Sequence, residues 1–117
     1  MKLPHGESLT FAKELITHSE DTIVVRCAFP MVPTLAMFIE AGAQACAGFR
    51  TDNVSNMGFV SMVKNVKQLQ NLREQVYLFK IQKQIESHSY LKVIFEASEI
   101  ESTDIVVSGE LTLVLKV

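Results

Sequence analysis

Pro33-Thr34-Leu35-Ala36-Met37-Phe38-Ile39-Glu40-Ala41-Gly42-Ala43-Gln44-Ala45-Cys46-Ala47-Gly48-Phe49 decides the fold. Apolar or small residues fill every side of this stretch, which predicts a helix buried all round rather than one lying on a surface. Pro33 suits its first position, where a missing N–H costs nothing, and the helix should run to about Arg50 with Gly48 in its closing turn. Glu40 is its only charge, and Gln44 stands one turn further on along the same face. An isolated carboxyl in such surroundings is costly to ionise and is expected to hold its proton, which is how a general acid is made. A buried carboxyl satisfied by Gln44 and backbone groups would serve geometry alone, and that reading stays open beside the catalytic one.

The segments around the helix read as strands. Leu9 to Ile16 is a first extended segment, and Thr22 to Phe29 is rich in β-branched residues and stops at Pro30. Thr51 to Met57 is a polar loop, Gly58 to Val66 a strand, and Gln68 to Glu74 a turn. Three long β segments follow, at Gln75 to Glu86, His88 to Ile100 and Ile105 to Val117. The last two alternate, with Val93, Phe95 and Ala97 against Lys92, Ile94 and Glu96, and Leu111, Leu113 and Leu115 against Thr112, Val114 and Lys116. Ser87 and Thr103-Asp104 supply turns. One helix that is apolar all round needs cover, and a curved antiparallel sheet wrapped around it provides that cover. The expectation is an α+β chain of the hot-dog type, one domain over residues 1–117, with sheets paired edge to edge in a dimer.

Composition narrows the function classes. The 117 residues suffice for one real core, with 48% apolar and 21% charged residues and a formal charge of −2. That balance argues against a nucleic-acid protein. Glu40 interrupts the longest apolar run, so no membrane span is expected, and Met1 to Glu7 lacks a signal-peptide core. Cys27 and Cys46 have no metal-like spacing and read as reduced, buried thiols of a cytoplasmic protein. No cofactor or metal is called for.

Three segments in order resemble the β-hydroxyacyl-[acyl-carrier-protein] dehydratase family of hot-dog proteins. They are Leu3-Pro4-His5-Gly6; Phe29-Pro30 leading through Pro33 to Glu40-Ala41-Gly42-Ala43-Gln44-Ala45; and Gly58-Phe59-Val60-Ser61-Met62-Val63-Lys64-Asn65-Val66-Lys67. The closing Gly109-Glu110-Leu111-Thr112-Leu113 resembles the terminal strand of a short, divergent branch. The family's catalytic histidine directly precedes the Phe-Pro pair, and that position here is Ala28. Cys27, on the opposite face of its strand, is a poor substitute.

The resemblance implies loss of water from a 3-hydroxyacyl thioester to give a trans-2-enoyl thioester. That chemistry needs a base, an acid and donors for the thioester carbonyl. Glu40 suits the acid, Gln44 could orient it through an i,i+4 hydrogen bond, and His5 is the best imidazole for the base, unless it merely anchors the N-terminus. His18 and His88 read as exposed turn residues. Phe29, Pro30, Thr34, Leu35, Gly58 and Phe59 are the substrate-binding candidates, with backbone N–H groups near Thr34 and Leu35 available to the carbonyl. Met31, Met37, Met57 and Met62, with Phe29, Phe38 and Phe59, suit either an acyl tunnel or an ordinary core. Lys64, Lys67, Arg73, Lys80 and Lys83 suit either a docking surface for an acidic carrier or a solvated strand face. The implied partners are acyl carrier protein or an acyl-CoA thioester, a second copy or a higher oligomer of dimers, and an active paralogue. A thioesterase, or a binding subunit without turnover, is the alternative to the dehydratase.

Overall fold

The computed structural model describes residues 10–49 and 59–114. Six strands and one helix follow in the order β1 (Ala12–His18), β2 (Thr22–Ala28), α1 (Leu35–Ala45), β3 (Phe59–Gln68), β4 (Val76–Glu86), β5 (Tyr90–Glu99) and β6 (Ile105–Val114), with a 3-10 turn at Cys46–Phe49 continuing the helix. The strands make one antiparallel sheet in the order β1-β2-β4-β5-β6-β3. Chain-consecutive β2 and β3 are separated by the helical crossover and end on different sides of the sheet. His5 and Gly58 lie outside the described residues.

Alternation selects the inner face. Val25, Phe79, Ala97 and Val107 stand opposite one another in successive strands, as do Ile23, Ile81, Phe95 and Gly109. All eight are buried, and α1 lies on them through Phe38, Ala41, Gly42, Gln44 and Ala45. Aromatic rings fill the space between the two layers: Phe38 stacks on Phe79 at 5.5 Å between centroids, Phe79 on Phe95 at 5.8 Å, and Phe29 tilts against Phe11 at 4.9 Å. Such rings bring large apolar area together with specific contact geometry. Phe29 and Phe38 are thus part of this core.

The helix is not buried all round, contrary to the expectation from its composition. Ala36 is exposed, and Leu35, Met37, Ile39, Glu40 and Ala43 are only half covered. One curved sheet wraps one side of a helix, and in a single chain the other side has little to cover it. Pro33 is also not the first helical residue. It is buried two residues before Leu35, and Thr34 between them caps the helix by accepting the Met37 N–H on Oγ1 at 3.3 Å. The threonine side chain can satisfy an orphan first-turn donor, which the proline ring cannot.

The outer face carries mixed charge. Lys80 stands opposite Glu96, and Lys64 opposite Glu110, which also receives the Asn65 side-chain amide. Lys83 departs from this face: its side chain is largely covered, with Nζ 4.7 Å from the Phe49 ring and 3.1 Å from Glu86. Arg73 forks onto Glu99 through two bonds of 2.9 and 3.1 Å, which holds the Glu99 carboxyl below its ordinary range. Of the five cations that suit either a docking surface or a solvated strand face, Lys64 and Lys80 stand opposite carboxylates, Arg73 is paired with Glu99 and Lys83 is largely covered. Edge strand β3 takes one extra residue at each of two bulges, one between Val60 and Met62 and one between Lys64 and Lys67. Asn65 sits at the second with φ 55°, a left-handed conformation that asparagine tolerates better than most residues.

Two outcomes follow from this packing. A Cβ on Gly109 would lie 2.8 Å from Phe95 Cε2 and 2.9 Å from Val66 Cγ2. Gly109→Ala is expected to lower unfolding free energy by about 1–3 kcal/mol in urea titrations, since the ring beneath it has no room to yield. Cys27 and Cys46 are both buried in the core, and burial pushes each thiol up to about 12. The folded protein then keeps both protons where the unfolded chain loses them. The contribution of the thiols to stability is expected to be constant below about pH 8.5, the ordinary thiol range, and to fall as the pH rises from there toward 12. Urea midpoints across that range, compared with a Cys27→Ala, Cys46→Ala double variant, check it.

Candidate functional site

Glu40 and Gln44 are one helical turn apart on α1, so their side chains meet. Gln44 Nε2 donates to Glu40 Oε1 at 3.2 Å. Gln44 is only 5% exposed, the one buried amide or charged side chain among the described residues. Its other end is occupied by the chain entering β1. Phe11 N–H donates to Oε1 at 2.7 Å, and Ala12 N–H does so at 3.3 Å. A buried amide is costly unless both ends are matched, and here a strand entry more than thirty residues away supplies the match.

The same strand entry reaches the end of β2. The Phe11 carbonyl accepts the Ala28 N–H at 2.8 Å, and the next N–H, that of Phe29, goes to Gln75 O at 2.8 Å. Ala28 and Glu40 are thereby joined through Phe11 and Gln44 by three hydrogen bonds. Ala28 itself offers only a methyl group at the end of this chain of hydrogen bonds. Cys27, beside it, faces the core, and its raised pKa keeps it a thiol.

Other site candidates fall in different places. Thr34 is exposed and uses its hydroxyl oxygen as the helix cap, while its carbonyl accepts the Phe38 N–H at 3.1 Å. Leu35 is half-buried beside it, and Pro30 is exposed in the loop between β2 and α1. Phe29 packs in the ring cluster between helix and sheet. Phe59 opens β3 on the far edge, 64% exposed, with Met62 at 48%. Met31, 55% exposed, lies in the loop before α1, Met37 is half-buried, and Met57 lies outside the described residues. The sulfur and aromatic side chains suggested for a tunnel are thus split between core and surface. His18 ends β1 and His88 sits in the β4–β5 hairpin, both exposed. Among the described residues no three His, Cys, Asp or Glu side chains cluster as a metal would need, and no helix is long and apolar enough to cross a membrane.

The contacts that reasoning from the sequence missed are those of Phe11 and Ala12. They act through backbone N–H groups, which every residue but proline carries, so their side chains announced nothing. The signal that could have found them was Gln44 itself. A glutamine facing the core must have partners, and one i,i+4 carboxyl satisfies only its nitrogen.

The sequence matches no family model and no curated protein. Solved structures do match. The dehydratase heterocomplex ApeI:P from Xenorhabdus doucetiae aligns over 98% of this chain and 88% of its own, with a TM-score of 0.80 and 16% identity. A hypothetical thioesterase with coenzyme A from Streptococcus pneumoniae aligns over 88% and 84%, with a TM-score of 0.66 and 10% identity. Zebra fish thioesterase superfamily member 2 aligns over 87% and 80%, with a TM-score of 0.63 and 10% identity. Likeness at these identities speaks for architecture. With its six-stranded curved antiparallel sheet and single central helix, the chain has the hot-dog fold.

Proposed function

We propose that this chain handles acyl thioesters and converts 3-hydroxyacyl thioesters to trans-2-enoyl thioesters with loss of water. The observation that carries the reading is the half-buried carboxyl of Glu40, held by a buried amide on the hot-dog helix. Dehydration removes a proton from the carbon next to the carbonyl and expels the hydroxyl from the next carbon. Glu40 gives its proton to that hydroxyl, which leaves as water. His5 takes the α-proton. The first-turn N–H groups near Thr34 and Leu35 receive the thioester oxygen as negative charge gathers there, and Phe29, Pro30, Gly58 and Phe59 belong to the acyl and thioester path. The substrate is carried by acyl carrier protein or coenzyme A in the cytoplasm.

The half-covered side of α1 and the open edge of β3 supply the surfaces for a homodimer or an oligomer of dimers. Ala28, in place of a histidine, favours a second reading in which the chain is the non-catalytic partner of an active paralogue; the match to a dehydratase heterocomplex supports it. Hydrolysis of the thioester by Glu40 and a water is the remaining alternative, supported by the thioesterase matches.

One assay series separates these readings. With 3-hydroxyacyl carrier protein, wild-type protein is expected to form the enoyl product, and Glu40→Gln to lose at least roughly a hundredfold in kcat/KM. Equal turnover by Glu40→Gln would sink the acid role. Absence of product together with intact binding of acyl carrier protein would establish the partner role, and free thiol released from acyl-CoA would establish the thioesterase.

A further inference from the structure

The inward side chains of edge strand β3 recur at every third residue, where a regular strand places them at every second. Val60 stands opposite buried Leu113 and Val63 opposite buried Leu111, and Val66 lies over Gly109, whose Cβ would meet its Cγ2 at 2.9 Å. Phe59, Met62, Lys64 and Lys67 stand opposite Val114, Thr112, Glu110 and Ser108 of the outer face. The two bulges cause this spacing, and they lie symmetrically about Val63. Ser61, two residues before it, is passed over in the pairing with β6, and Asn65, two residues after it, holds the φ of 55°. Both turn their polar side chains back onto β6: Ser61 Oγ donates to Thr112 O at 3.2 Å, and Asn65 Nδ2 donates to Glu110 Oε2. Val63 itself is 40% exposed although it belongs to the inner face.

We infer that β3 pairs with β3 of a second copy, antiparallel about a two-fold axis at Val63, and that the two bulges act as a register key selecting an identical strand. The inference rests on the reading of the chain as a homodimer and adds the axis, the register and the source of selectivity. β3 closes one end of the sheet, so its outer row of peptide groups has no strand beside it among the described residues. Inversion about Val63 sets Val60 against Val66 of the second copy, Ser61 against Asn65, Met62 against Lys64 and Phe59 against Lys67. Valine then meets valine on the inner face, and a bulge meets a bulge, so the alternation of the two strands stays in step. A partner strand of regular alternation would fall out of step at each bulge and turn its inner side chains outward. Charge agrees with this register. Lys64 and Lys67 are the only charged residues of β3, and no lysine faces a lysine, an arrangement that would be destabilising directly across a strand pair. Each lays its methylene stem across Met62 or Phe59 of the other copy. The axis runs perpendicular to the sheet, so both copies of α1 lie on the same side of it.

The test is disulfide trapping of the full chain under mild oxidation, read as a doubling of mass on a non-reducing gel, beside sedimentation of the wild-type protein. Cys27 and Cys46 are buried, so wild type is expected to give no cross-link. Val63→Cys places one thiol opposite its own copy, with Cβ atoms about 4.5–5.5 Å apart, and is expected to cross-link to itself. Phe59→Cys alone and Lys67→Cys alone are expected to stay single, because each thiol lies roughly 25 Å from its own copy along the pair. Mixed after separate purification, the two are expected to cross-link to each other. Both positions are exposed, so this arm stands even if Val63→Cys fails to fold. A wild-type dimer in which Phe59→Cys traps itself, or in which neither Val63→Cys nor the mixture traps, overturns the inference and leaves the homodimer reading standing. A wild-type chain that sediments as a monomer at every concentration, with no cross-link in any variant, removes both.

Discussion

The contact between α1 and the inner face of the sheet, filled by stacked rings, is what the rest of the structure depends on. Phe38 meets Phe79, Phe79 meets Phe95, and Gly109 yields its side-chain space to Phe95. Interiors pack as densely as organic crystals, so a flat stack of this kind fixes helix height as well as helix position. Gly42 reports the same closeness, since a Cβ there would come within 3.1 Å of Leu111 Cδ1. Once the helix is held at this height, Glu40 has no freedom to rise toward solvent or sink into the sheet.

That fixed height makes the polar pair workable. Gln44 lies at the level where the backbone of β1 begins, and Glu40 one turn away lies at the half-covered side of the helix. Apolar rings hold one side of the site and a strand entry holds the other. Phe29 and Phe38 are committed to each other and to Tyr77, with centroids 5.0 to 6.2 Å apart.

Much of this was legible in the chain. The alternation of Val93, Phe95 and Ala97, and of Leu111 and Leu113, named the inner face correctly, because period-two burial leaves a direct imprint on sequence. Six strands around one helix also followed from composition and order. The half-bare side of α1 did not, because Ala36 and Ala43 look alike whether a sheet or a second subunit covers them. Pro33 invited a wrong helix start, since Thr34 performs the capping through its side chain. At the site, the Glu40–Gln44 pair came from simple helical spacing. Its anchorage to Phe11 and Ala12 was invisible, because main-chain donors have no letter of their own.

The bulged course of β3 has a bearing on assembly. A long straight border of unpaired peptide groups invites further strands to add without limit. Here two inserted residues and the left-handed Asn65 break that border into short runs. Phe59, Met62 and Val63 remain exposed next to them. Open-ended strand addition along this rim is disfavoured.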